Sequence, residues 1–380
     1  MPTSKSHWPK GLLAASVAGF LLPPVAMADA ELSRSIDEVF AGIGMDEPGC
    51  AAGVIHEGVY IHKAGYGLAN LEYDFPITSE TIFRTGSVGK QFTAMAVAIL
   101  AERGDVDLDA DVHEYLPDLT DYGHKVTVRQ MLHHMAGMGD YDHEVFRKAD
   151  GSEFRFGNQD YATNEEFYAM VAQAGLKHEP GTRYEYSNLA YFLLGHVVEA
   201  ASGKTLRQFA AEEIFGPLGM DKTRFNDNVN QIVKKRADGY RRMDDGSWEI
   251  FMTNLSWIGD GGVYTSLDDF IKWDQNFYDN KLGKGKQSLI DMVQTPYPDA
   301  FEYTDEGPQP VSYGFGLSIE EKNGQYMVGH NGSWVAFTAF YNRYPELNLS
   351  AVVFCNSLEA SAPALGEQVG ALAVAAFKTQ

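Results

Sequence analysis

The chain has 380 residues, 44% of them hydrophobic and 22% charged. That balance is typical of a globular protein with material for a sizeable core; it excludes a disordered or fibrous chain, and the length predicts one large domain or two. Lys and Arg number 30 against 52 Asp and Glu, and the formal charge of −22 makes nucleic acid and anionic lipid poor partners.

The first 28 residues read as an export signal. Lys5 and Lys10 give a basic start. Residues 11–22 are small and apolar, in a run too short to span a bilayer. Ala26-Met27-Ala28 offers a small-x-small cleavage site, which predicts a cut after Ala28 and a secreted or periplasmic protein. The competing reading is an uncut membrane anchor. No later stretch is apolar for long enough to cross a bilayer, so the mature form is expected to have no membrane span.

Leu32, Ile36, Val39, Phe40 and Ile43 then recur at helical spacing until Pro48-Gly49. Residues 50–56 and 59–64 read as two strands around a Glu57-Gly58 turn. Residues 106–254 are mostly helical, most clearly at 127–135, 164–174, 190–201 and 205–214. Strands return at 325–329, 335–341 and 347–354, and a small, apolar helix closes the chain at 364–377. Strands at both ends and helices between them predict an α/β fold: an antiparallel sheet flanked by helices, with an inserted mostly helical region. The boundaries are 29–105 and 255–380 for the two parts of the α/β domain and 106–254 for the insertion, with the active site in the crevice between them.

Ser87-Val88-Gly89-Lys90 opens an apolar helix that runs to Gly104, and it is the only S-x-x-K in the chain. Three residues apart, Ser87 and Lys90 share a face. A serine hydroxyl needs a base, and a lysine whose pKa is lowered can supply one. The competing reading is an N-cap serine followed by a solvated lysine. Tyr186-Ser187-Asn188 precedes another apolar helix, where a phenol and an amide could handle a proton and a carbonyl. Tyr278-Asp279-Asn280 has the same form. His330-Asn331-Gly332-Ser333 stands at the end of one predicted strand and before the next. There Gly332 permits close backbone approach, Ser333 N–H could join Ser87 N–H as an oxyanion donor, and His330 could orient a substrate acid group. Lys322-Asn323-Gly324 is a rival with the Lys-x-Gly form, read instead as a hairpin turn.

In this order and spacing the three elements resemble the serine β-lactamase and penicillin-binding-protein superfamily, in its class C β-lactamase, D-alanyl-D-alanine carboxypeptidase and esterase branch. That pattern is S-x-x-K at a helix start, Tyr-x-Asn in the helical region, and Lys- or His-x-Gly on an edge strand. Gly65 to Asn70, Phe83 to Phe92, Pro217 to Met220 and Gly259-Asp260-Gly261-Gly262 extend the likeness over nearly the whole chain after the signal.

The resemblance implies that Ser87 is the acylated nucleophile and that Lys90 and Tyr186 handle the proton. It implies that Asn188, His330, Gly332 and Ser333 contact substrate. The expected activity is hydrolysis of an ester or amide (a peptide, a D-amino-acid amide or a β-lactam-like compound) through an acyl-enzyme. The substrate would be a small molecule or derived from peptidoglycan. The alternative is a non-catalytic module of the same fold that binds penicillin or peptidoglycan fragments. Two departures matter. His330 replaces the usual lysine of this branch's β-lactamases, which weakens a β-lactamase assignment and looks more like certain D,D-carboxypeptidases and D-aminopeptidases. Met135-Ala136 stands where relatives often have Thr-Ser, read as a packing change below the site. With an ordinary histidine pKa, His330 would be mostly neutral at pH 7 to 8 and would hold carboxylate-bearing substrates better at lower pH.

The chain has two cysteines, no CxxC and no HExxH, so neither a metal nor a cofactor is expected. In the family's sheet Cys50 and Cys355 lie on antiparallel neighbours, which allows a disulfide; two separately packed thiols are the default. His133 and His134 are placed at a helix end, where a cation suits the dipole. Trp334 belongs either to the cleft or to the core.

Overall fold

The computed structural model describes residues 24–148, 156–157, 160–322 and 324–378. β1 (Cys50–His56) and β2 (Val59–Tyr66) form a hairpin. Glu57 and Gly58 both take positive φ, 48° and 79°, as a tight turn matched to strand twist requires. β3 (Ser318–Lys322), β4 (Gln325–Trp334), β5 (Phe337–Tyr344) and β6 (Leu349–Cys355) come from the other end of the chain. All six make one antiparallel sheet in the order β3-β4-β5-β6-β1-β2. The β1–β6 pair joins the two ends of the chain, in register from Cys50 opposite Cys355 to His56 opposite Leu349.

Four helices matter most: α1 (Pro24–Val39), α2 (Lys90–Arg103), α3 (Asn188–Ser202) and α4 (Ala362–Lys378). Side chains alternate across a strand, so each central strand feeds two cores. On one face Cys50, Ala52 and Val54 of β1 and Leu349, Ala351, Val353 and Cys355 of β6 pack with α1 and α4. On the other, Ala51, Val352 and Phe354 join the larger core that holds α2 and α3. α2 is buried on every side from Lys90 to Leu100, which explains an apolar run with almost no amphipathic character. Gly104 ends it with φ 89°, its N–H returning to Leu100 and Ala101 carbonyls.

The expected architecture is present: α/β, with an antiparallel sheet, flanking helices and a helical region reaching the site. The predicted helices at 127–135, 164–174, 190–201 and 205–214 appear as Val128–Leu132, Asn164–Val171, α3 and Leu206–Ala210. One strand differs in a way that bears on function. The segment expected at 325–329 continues to Trp334, so the His330 motif lies inside β4 rather than beyond it. β3 pairs with β4 only from Gly329 back to Gln325, which leaves the 330–334 stretch bonded to β5 alone and open on its other side. A small sheet of Phe83–Arg84, Val263–Thr265 and Arg224–Phe225 escaped the sequence reading, because two- and three-residue strands carry no periodicity. Residues 1–23, most of the expected signal, lie outside the described residues, and the expected cut after Ala28 falls within α1. Among the described residues no helix is long and apolar enough to cross a membrane.

Cys50 and Cys355 are bonded, both fully buried, across 305 residues of sequence. The default of two packed thiols is therefore wrong: the β1–β6 register places the pair directly opposite, and both side chains point to the α1–α4 face. A crosslink over so long a loop restricts the unfolded chain strongly, and losing one typically costs about 2–5 kcal/mol. Thiol titration of the denatured, unreduced protein should find no free thiol, and the Cys50→Ala/Cys355→Ala variant should melt several degrees lower. Two titratable thiols would contradict the bond.

Candidate active site

Ser87 sits in a short 3-10 turn, Gly86–Gly89, that runs directly into α2 with Lys90 as its first residue. The turn is pressed against the open half of β4. Gly86 has φ 51°, and a Cβ there would lie 2.6 Å from Ser333 N; a Cβ on Gly332 would lie 2.0 Å from Thr85 O and 3.0 Å from Ser87 N. Both glycines are therefore required for the approach, which brings the Ser87 and Ser333 amides to one spot. A pair of amides so placed can stabilise an oxyanion.

Lys90 is completely buried. Its Nζ donates to Asn188 Oδ1 at 2.6 Å, to the Asp260 carbonyl at 2.5 Å and to Ser87 Oγ at 3.1 Å. Three acceptors meet three donors, and among the described residues no carboxylate pairs directly with it. Burial lowers its pKa to about 8, against the opposing pull of Asp260 and Asp140. When Lys90 loses its proton, the two shorter bonds retain the remaining N–H groups, and the lone pair is left facing Ser87.

The Tyr186-Ser187-Asn188 motif is divided by a helix cap. Ser187 Oγ caps α3 by accepting from Ala190 N–H at 3.0 Å. Tyr186 thus lies just before the helix and Asn188 just inside it. Tyr186 is half-buried, with its hydroxyl enclosed and its ring 4.9 Å from Lys90 Nζ. Burial raises its pKa well above the ordinary value, and nearby Ser87 is the main influence opposing the rise. The hydroxyl has no well-formed hydrogen bond. Asn188 is engaged at both ends: its Oδ1 holds Lys90, and its Nδ2 donates to Asp140 Oδ1 and Oδ2 at 2.9 and 3.0 Å.

The third motif differs more from expectation. His330 is buried and its nitrogens are both used. Nδ1 faces the Asn331 carbonyl and so carries the proton, and Nε2 accepts from Tyr313 Oη at 3.0 Å. Burial, then Lys90, lowers its pKa to about 4. No acidic neighbour restores its charge, so the gain in carboxylate binding expected below pH 7 has no physical basis near His330's ordinary pKa. His133 and His134 are corrected likewise. His133 does stand at a helix end, as the C-cap of Val128–Leu132, with His134 next to it, but both are buried and neutral rather than cationic; burial lowers His133 to about 4 and His134 well below its usual value. Met135 and Ala136 are buried in the core, in keeping with a packing role.

A cavity of about 220 Å³ opens over Ser87, lined among others by Arg84, Tyr141, Asn188, Asp260, Ser333 and Trp334. Trp334 serves both alternatives: it lines the cavity and packs edge-on against Trp257. Tyr186, Gly332 and His330 do not line this cavity. Tyr278, the rival tyrosine, packs against Arg343 away from the cavity.

Arg84, Asp140, Tyr141 and the Asp260 side chain were not singled out from sequence, and His134 was read only as a helix-end cation. Tyr141 Oη donates to Asp260 Oδ2 and accepts from Trp257 Nε1 at 3.1 Å. Arg84 is buried with its guanidinium 5.2 Å over Trp334. Arg84 and Asp260 fall in segments that carried a signal, Phe83 to Phe92 and Gly259-Asp260-Gly261-Gly262, through their likeness to the family. The second segment serves Lys90 and Thr93 through the backbone: the Asp260 and Gly259 carbonyls receive them.

Comparison with known proteins agrees with this geometry. The chain is 30% identical over 355 residues to a D-aminopeptidase of Cereibacter sphaeroides, covering 90% of this chain and 63% of that protein. It is 26% identical to Penicillin-binding protein 4* of Bacillus subtilis, covering 79% of this chain and 66% of that one. The chain thus spans about two thirds of the length of these relatives or slightly less. An octameric penicillin-binding protein homologue from Pyrococcus abyssi superposes with a TM-score of 0.75 at 26% identity, over 93% of this chain and 78% of that one. The Beta-lactamase family profile matches residues 36–375, and the chain belongs to that family.

Proposed function

We propose that the protein is an exported serine hydrolase that forms an acyl-enzyme on Ser87, with D-amino-acid amides or short D-peptides as its substrate class and activated esters as convenient surrogates. The observation that carries this reading is Lys90: fully buried, its pKa near 8, with its Nζ 3.1 Å from Ser87 Oγ. The similarity to D-aminopeptidases supports the substrate class, as does a third motif with neutral His330 in place of a lysine cation. The basic and apolar start of the sequence supports export.

In the proposed reaction neutral Lys90 takes the Ser87 proton as Oγ bonds to the substrate carbonyl carbon. The Ser87 and Ser333 amides hold the oxyanion. The C–N or C–O bond then breaks, and the leaving group takes a proton passed from Lys90 through Tyr186. Water, deprotonated by the same pair, cleaves the ester on Ser87 and frees the acid. Lys90 is the resting base because its pKa is near 8, whereas the buried Tyr186 phenol stays protonated at neutral pH. A base acts in its neutral form, so activity follows the neutral fraction of Lys90, which grows as pH rises through its pKa.

Intact mass after fluorophosphonate treatment should show one adduct, absent from Ser87→Ala, with p-nitrophenyl acetate turnover lost as well. Labelling at another serine would overturn the assignment. Penicillin that acylates Ser87 while p-nitrophenyl acetate and D-alaninamide are not turned over would favour a binding module. Lys90→Ala and Tyr186→Phe should each reduce kcat by about a hundredfold or more; near-normal rates would remove that residue from the mechanism.

The pH profile is a separate test. Because burial has lowered the folded pKa of Lys90 to about 8, kcat/KM for p-nitrophenyl acetate should rise by about tenfold per pH unit below 8 and level off above it. With His330 and His133 lowered to about 4, no limb should appear near pH 6.5. A limb at 6.5, or a profile flat from pH 6 to 9, would contradict the assignment of Lys90.

A further inference from the structure

Tyr186 is a proposed proton carrier whose hydroxyl has no well-formed hydrogen bond in the resting site. Apart from the nearby Ser87 hydroxyl, it is held through its backbone and its ring, and His134 acts on both. The His134 carbonyl accepts from Glu185 N–H at 2.9 Å, and its Nδ1 accepts from Ser187 N–H at 3.0 Å. One residue thus holds both chain neighbours of Tyr186. Its ring also lies 4.3 Å from the Tyr186 ring, tilted by 37°. Tyr191, Tyr313 and Tyr184 pack around the imidazole at 4.9, 4.7 and 5.7 Å, so it has little freedom to move.

The backbone is adapted to this arrangement. His134 has φ 58°, a left-handed conformation uncommon among non-glycine residues and adopted mostly by Asn, Asp and His. This turn lets the carbonyl and the ring of a single residue meet the same tripeptide. The bond to Ser187 uses the Nδ1 lone pair, so the imidazole is neutral with its proton on Nε2, a nitrogen that is buried without a partner. Burial, then Lys90 and His330, disfavours a charged ring there.

We propose that His134 is a positioning residue for the reaction: by clamping residues 185 and 187 and bracing the Tyr186 ring, it sets the phenol against Ser87 and Lys90. This rests on the proposed role of Tyr186. If the ring were only filler in an aromatic cluster, phenylalanine would replace it without cost. If it is a clamp, the acceptor at Nδ1 is what matters, and asparagine, which tolerates positive φ and offers Oδ1 nearby, is the conservative replacement.

The test is a set of variants assayed with p-nitrophenyl acetate: His134→Phe, His134→Asn, Tyr186→Phe and the double variant His134→Phe/Tyr186→Phe. His134→Phe should lower kcat by about ten- to a hundredfold, the scale of a misplaced catalytic group, with little change in KM. His134→Asn should recover most of that loss. In the Tyr186→Phe background His134→Phe should cost no more than about twofold, since the group it positions is gone. Equal losses in both backgrounds, or losses in Phe and Asn variants that track only their melting temperatures, would overturn the proposal. A near-normal Tyr186→Phe enzyme would instead overturn the role of Tyr186, and the clamp with it. A readout independent of variant folding is the ¹⁵N spectrum of the unmodified protein labelled in histidine. His134 should show the Nε2–H tautomer from pH 5 to 8, and a Nδ1–H tautomer or a titration near 6.5 would contradict the clamp.

Discussion

The site depends on the burial of one ammonium group. Lys90 opens a helix that is enclosed on all sides, and a charge there survives only because the Asp260 carbonyl, Asn188 Oδ1 and Ser87 Oγ meet its three donors. Among the described residues no carboxylate pairs with it directly; Asp140 and Asp260 act at longer range. A direct ion pair would hold the proton on Lys90 and prevent it from serving as a base. Dipolar acceptors instead leave its pKa near 8, within reach of neutral solution. Asn188 is central to this compromise, because its amide carries the influence of Asp140 to Lys90 without placing a carboxylate against it.

The same cation shapes its surroundings. His134 and His330 are both buried, and Lys90 adds to the burial that keeps each neutral. Neutral imidazoles can accept hydrogen bonds, and both do, from Ser187 N–H and Tyr313 Oη. The histidines near Ser87 thus serve as fixed acceptors. The burial that lowers the pKa of Lys90 raises that of Tyr186, so the two groups of the proposed relay are separated in pKa.

The sheet, the main helices and the three motifs were legible because they rest on local signals. These are short apolar runs bounded by turns in β1 and β6, helical spacing in α2 and α3, and Gly and Pro at turns. What stayed hidden depends on long-range packing. Asp140 lies 48 residues from Asn188, and nothing in a Gly-Asp-Tyr tripeptide announces that it will meet that amide. His134 looked like a helix-end cation because sequence does not show that four tyrosines will enclose it. His330 lies close enough to Lys90 to feel its charge, but its titration was misjudged because burial is invisible in a motif. The β1–β6 register decided the state of the cysteines, and that pairing joins segments some 300 residues apart.

The central claim is that burial outweighs the pull of Asp260 and Asp140 and brings the pKa of Lys90 near 8, and direct titration of that one group tests it best. Lysine labelled with ¹³C at Cε in the Ser87→Ala protein, with Lys90 assigned by its loss in Lys90→Arg, gives the pKa without reference to any substrate. The account predicts a midpoint near 8, well separated from the remaining lysines. A midpoint in the ordinary lysine range, near 10.5, would contradict it.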